Sequence, residues 1–175
     1  MKKKIIFALV AFMALLPCVS ASATENGQFY LEPFIGGTIS PNRGLDVGLS
    51  AGYTYCYGLG FDATVSYRHL SGYNLLQAGG GIKYECPYLH MGYPIIGAGV
   101  GVMIDFPQSN YGYATVDPVI SYKCGYAFRV VPDYLDIGAE YRGDAIFMLN
   151  QANGYLWGTI VEHSLVVTMR VYLTH

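Results

Sequence analysis

The chain has 175 residues, of which 53% are hydrophobic and only 13% charged, with a formal net charge of −2. That length allows one domain with a full core, and the acidic balance excludes the basic stripe on which nucleic-acid binding depends. A secreted soluble domain of this composition would be unusually apolar, so the composition predicts an apolar covering over much of the surface.

The N-terminus reads MKKK, then twelve apolar residues from Ile5 to Leu16, then Ala21-Ser22-Ala23. Charged, apolar and small-residue regions in that order predict a secretory signal peptide over 1–23, cleaved after Ala23, with 24–175 as a single domain. Cleavage would take three of the ten basic residues and leave seven against twelve acids. Cys18 follows Pro17, where a lipoprotein signal carries a small residue, so lipidation is not expected. No later stretch approaches the roughly 18 apolar residues of a helical span. Cys56, Cys86 and Cys124 are odd in number and widely spaced, and they read as free thiols on strands rather than a disulfide or metal framework.

Eight segments of alternating pattern follow, over 28–40, 45–57, 59–70, 75–88, 94–106, 113–128, 134–146 and 157–174, separated by runs rich in Gly, Asn, Pro and Ser. Alternation at this length is the period of a β-strand, and each segment reaches the about 9 to 11 residues of a tilted transmembrane strand. Segment 45–57 sets Leu45, Val47, Leu49, Tyr53 and Tyr55 against Asp46, Ser50 and Thr54. Segment 59–70 sets Leu59, Phe61, Val65 and Tyr67 against Asp62, Thr64, Ser66 and Arg68. In 134–146, Leu135, Ile137, Ala139 and Tyr141 oppose Asp136, Glu140, Arg142 and Asp144. Pro33 and Pro118 fall inside segments and predict a bulge or strand end near each.

Every charge within these segments falls on the polar parity: Glu32, Asp46, Asp62, Arg68, Lys83, Glu85, Asp105, Asp117, Lys123, Arg129, Asp136, Glu140, Arg142, Asp144, Glu162 and Arg170. A slip of one residue would move any strand's charges to the other face. Aromatic residues crowd the ends of the apolar face, as in Tyr53, Tyr55 and Tyr57 or Tyr122, Tyr126 and Phe128. Rings at the ends of an apolar band suit membrane interfaces, so the apolar face is expected outside, toward lipid, and the charges inside. The fold class expected is all-β: an eight-stranded antiparallel transmembrane up-and-down β-barrel.

On this pattern residues 28–175 resemble the small eight-stranded outer-membrane barrels of the OmpA-barrel and OmpX type. The last strand, LVVTMRVYLTH, carries Leu165, Val167, Met169, Val171 and Leu173 at alternate positions, similar to the signal such barrels present to their assembly machinery, although it ends in His175 rather than Phe or Trp. The resemblance implies the bacterial outer membrane, outer-membrane lipid and the barrel-assembly machinery as partners, and a monomer. It also implies that residues 41–44, 70–75, 107–112 and 147–156 are external loops, with Phe147 to Trp157 the longest contact patch.

An eight-stranded barrel has a lumen just wide enough to be filled by side chains or to hold one small ligand. Its charges must therefore pair, and Glu32, Asp62, Arg68, Lys83, Glu85, Asp117, Lys123, Glu140, Arg142 and Arg170 are the candidate interior network. Inward Gly79, Gly81, Gly97, Gly99 and Gly101 leave space that favours the alternative, a narrow small-solute pore, while inward Tyr30, Phe34, Met103 and Tyr172 could fill it. The run GAGVG at 97–101 has strand period and no helix after it, so it is not a nucleotide loop. A lipid-directed enzyme is a further alternative. Glu162-His163-Ser164 is the local acid, imidazole and hydroxyl group, but on a strand His163 points away from its neighbours, so no catalytic site is expected. No cofactor and no metal site is expected either.

Overall fold

A computed structural model of the chain describes residues 27–40, 43–55, 58–86, 91–107, 114–149 and 156–173. The signal peptide expected over 1–23 lies outside these residues. Eight strands run β1 (Gln28–Ser40), β2 (Gly44–Thr54), β3 (Leu59–Leu70), β4 (Tyr73–Glu85), β5 (Gly92–Pro107), β6 (Thr115–Val131), β7 (Leu135–Leu149) and β8 (Leu156–Leu173). They form a closed barrel in sequence order, every neighbour antiparallel, with β1 pairing β8. Closure leaves no free edge, so each strand finds its ladder partners within the sheet.

Following partners around the wall from Gln28 through Thr54, Gly60, Lys83, Gly97, Lys123, Arg142 and Ser164 returns to β1 at Thr38, ten residues further on. That stagger tilts the strands about 35–45° to the axis and decides which inward side chains share a level. Leu45, Val65, Val100, Ile120, Leu165 and Val167 are exposed on the outer wall. Rings of Phe29, Tyr53, Tyr55 and Phe61 pack side by side outside the end that carries the termini, with centroids 4.6 to 6.1 Å apart. The chain is thus inverted relative to a soluble protein: its fully buried large side chains include Arg170, Lys83, Glu32, Glu140 and Glu162.

Several strands are longer than their alternation suggests. β7 continues to Leu149 and β8 starts at Leu156, so the loop expected over Phe147 to Trp157 shortens to 150–155, outside the described residues. The β3–β4 connection is the tight turn Ser71-Gly72, with Gly72 at φ 107°. Neither proline makes a bulge. Pro33 pairs Leu49 of β2 in register, and on the β8 side the ladder skips Glu32 and Pro33 without shifting. Pro118 pairs Val102 of β5, while pairing with β7 begins only at Val119, so this proline does mark a ladder end. A missing N–H faces one neighbour only, and each proline loses contact on one side. The register shifts lie elsewhere, at Thr38/Ser40, Arg129/Val131 and Met148/Leu149.

The thiol expectation holds for Cys124, which is free and exposed, and fails for Cys86, which is disulfide-bonded with a partner outside the described residues.

Candidate functional site

Inward side chains fill the lumen in layers. Nearest the termini, Arg170 on β8 donates from Nε to Glu32 on β1 at 2.6 Å and from Nη1 to Glu85 on β4 at 2.5 Å and to the Tyr93 hydroxyl at 2.9 Å. Lys83 pairs with Glu85 and lies over the Tyr30 ring, 3.6 Å from its centroid. Tyr172 donates to Asp136 at 2.7 Å, and Tyr93 also reaches that carboxylate. One guanidinium thus joins strands on opposite sides of the barrel.

In the middle, Arg142 grips Glu140 through Nε at 2.9 Å and Nη2 at 2.7 Å, stands 3.6 Å from Glu32, and stacks 3.7 Å above the Phe34 ring. Lys123 pairs with Asp62 at 2.5 Å, and Tyr30 donates to the same carboxylate at 3.3 Å. A cavity of about 70 Å³ lies here, against Gly79, Gly81, Gly97 and Gly99 on one wall and Asp62, Lys123 and Arg142 on the others. That volume holds a few water molecules, given about 10–15 Å³ of such space for each.

On the loop side Arg68 meets three carboxylates: Asp46 at 3.3 Å, Glu162 at 3.3 Å, and Asp144. Gln77 accepts from Arg68 at 3.0 Å and donates to Asp144 and Ser121, each at 2.9 Å. Beyond this layer Leu70, Leu75, Met103, Val119 and Ile146 pack into a buried apolar cluster with Tyr73 against it, beside the inward acids Asp105 and Asp117.

Nine of the ten expected network residues join these ion pairs. Asp117 does not: it accepts from the Leu149 N–H at 2.8 Å and from Thr115 at 3.3 Å, near the loop-side end, with no cationic partner among the described residues. Arg129 is exposed at the terminal end of β6, where the strand bulges, with its guanidinium 5.4 Å over the inward Tyr93 ring at the mouth of the lumen. The expected network omits Asp46, Asp144 and Glu162, which complete the Arg68 cluster, although parity places all three inward. The inward glycines prove more than empty space. A Cβ on Gly101 would fall 2.4 Å from the Ala78 carbonyl oxygen, and one on Gly99 would fall 2.7 Å from that of Gly80. The β4–β5 wall approaches itself too closely for any side chain there.

Glu162 and Ser164 point inward and His163 outward, so this triplet forms no hydrogen-bonded unit. No group of three or more metal-ligating side chains occurs among the described residues.

No family model matches the chain, and no curated protein matches it. Solved structures do. Neisserial surface protein A (NspA) superposes with a TM-score of 0.65 at 17% identity, over 86% of this chain and 99% of that one. The N-terminal β-barrel domain of Pseudomonas aeruginosa OprF gives 0.63 at 12% identity, over 87% and 100%. A de novo designed transmembrane β-barrel gives 0.50 at 18% identity, over 87% and 100%. At these identities the likeness is one of fold. In fold, the chain is an eight-stranded up-and-down barrel of the OmpA and OmpX type.

Proposed function

We propose that the protein is an integral barrel of the bacterial outer membrane, exported by a signal peptide cleaved after Ala23, with a structural or surface-interaction role and a lumen plugged by polar and charged side chains. The observation that carries this reading is the Arg170 bridge between Glu32 and Glu85, continued by Arg142 and Arg68 on successive levels. A solute passing through would have to break charge-assisted hydrogen bonds in a confined, weakly screened space. The apolar outer wall and the patch of aromatic side chains at its terminal end support placement in lipid. Export would end with recognition of the last strand by the assembly machinery, through alternate residues from Leu165 to Leu173, and the barrel would work as a monomer without cofactor or catalysis.

The test is single-channel recording of the refolded protein in a planar bilayer. A folded, inserted and silent barrel is the expected result. Steady discrete openings would overturn the plug and favour a narrow small-solute pore running through the glycine-lined cavity.

A further inference from the structure

The outer wall carries a polar constellation that the lumen does not explain. Tyr122 on β6, Gly143 on β7 and His163 on β8 are register partners in a row across the lipid-facing surface. The Tyr141 hydroxyl lies 2.7 Å from His163 Nδ1, and the Tyr122 hydroxyl lies 3.2 Å from the same atom. Tyr141 also stacks on the imidazole, with centroids 5.5 Å apart and ring planes at 20°. The arrangement is built rather than accidental, because a Cβ on Gly143 would fall 2.1 Å from Tyr122 Cζ. Only glycine lets that ring lean across the strand toward the imidazole. Around the trio the wall is aliphatic and exposed, with Ile120, Val161 and Leu165.

Depth narrows the occupant. His163 pairs with Ser40, the last residue of β1, whereas Phe29 near the first residue belongs to the terminal aromatic patch. Each strand residue climbs roughly 2.5 Å along the axis at a tilt of about 40°. The eleven steps from Phe29 to Ser40 therefore span roughly 28 Å, close to the roughly 25 Å apolar band of an outer-membrane barrel. His163 therefore sits at about the loop-side edge of that band, where lipid chains meet their polar linkages. In the tautomer that lets a phenol donate to Nδ1, the ring hydrogen is on Nε2, for which the described residues supply no acceptor. A donor facing hydrocarbon is costly unless an acceptor meets it.

We propose that Tyr122, Tyr141 and His163 form a lipid-binding site that donates a hydrogen bond to the acyl-ester carbonyl of a lipid in the loop-side leaflet. This assignment rests on the outer-membrane reading. The experiment uses the full chain folded into nanodiscs of ester-linked phosphatidylethanolamine or of its ether-linked analogue, with retained lipid counted by native mass spectrometry and the His163 imidazole shifts followed by NMR. The ester lipid is expected to be retained roughly three- to tenfold better than the ether lipid, with H163L abolishing the difference and Y141F reducing it. Insertion is checked separately by the gel shift of the folded barrel. Equal retention of the two lipids, or equal retention by the native protein and both variants, overturns the site. A stable dimer cross-linked through Tyr122 or Tyr141 also overturns it by assigning the surface to a second copy. A chain that folds but does not insert overturns the outer-membrane reading itself, and the site with it.

Discussion

Arg68 has the most demanding surroundings of any single residue here. Its guanidinium is buried among Asp46, Asp144 and Glu162, with Gln77 holding both it and Asp144. One cation among three carboxylates gains little from the attraction of any one pair, but its removal strands all three acids in a confined space. Arg68→Met is expected to lower the free energy of unfolding in lipid vesicles by about 3–5 kcal/mol, measured by urea titration. Arg129→Met, at the exposed end of β6 with only the Tyr93 ring beneath its guanidinium, is expected to change it by less than about 1 kcal/mol. Similar losses for the two variants would show that the lumen is wet enough to solvate Arg68's partners. Parity assigns Arg68 to the inside without ambiguity, because its neighbours Tyr67 and His69 lie on the opposite face. What parity cannot supply is the identity of its partners. They sit on β2, β7 and β8 at one level, and that level is fixed by the ten-residue stagger of the closed wall.

Among the elements, β4 and β5 show how a sequence pattern can have two physical causes. Glycines at alternate inward positions read as vacated volume, and four of them do border the cavity. Yet Gly101 lines no part of it, and a Cβ there would strike backbone of the facing strand, the Ala78 carbonyl at 2.4 Å. Curvature sets the requirement there, since a small barrel concentrates bending where side chains are absent. Gly101→Val is therefore expected to prevent the closed form, seen as loss of the compact band on an unheated gel and of the strand signal in circular dichroism. A folded, closed G101V barrel would refute the curvature argument. Strand existence and face were legible in the chain because lipid outside and charge inside enforce strict alternation. Strand ends were less so: β7 and β8 extend the hairpin beyond the alternating region with residues such as Phe147 and Met148, which follow one another without a polar partner. Pro33 misled for a related reason, since a wall of eight ladders tolerates the loss of one bond on one side.

For the whole molecule, the closures of the lumen stand in series. The apolar cluster of Leu70, Leu75, Met103, Val119 and Ile146 lies on the loop side, the Arg68 cluster beneath it, then Arg142 with Glu140, and finally Arg170 with Tyr93 and Tyr172 at the terminal end. A narrow apolar section opposes ions by excluding water, whereas a paired polar section opposes them by occupying space. Barriers in series are governed by the highest one left standing. Replacing Met103 and Ile146 together with Ser is thus expected to wet the loop side yet leave a planar bilayer silent. Adding Arg142→Ala and Glu140→Ala would still leave the terminal layer closed. Only further replacement of Arg170, Glu32 and Glu85, and of Arg68 with Asp46, Asp144 and Glu162, by Ala should give stepwise current, in a barrel whose folding is checked by its gel shift. Conductance from the Met103 and Ile146 double variant alone would mean that the ion pairs below part readily once water reaches them, and that one apolar layer holds the barrel shut. The order in which these variants begin to conduct therefore separates a plug distributed through the whole lumen from a gate confined to one end.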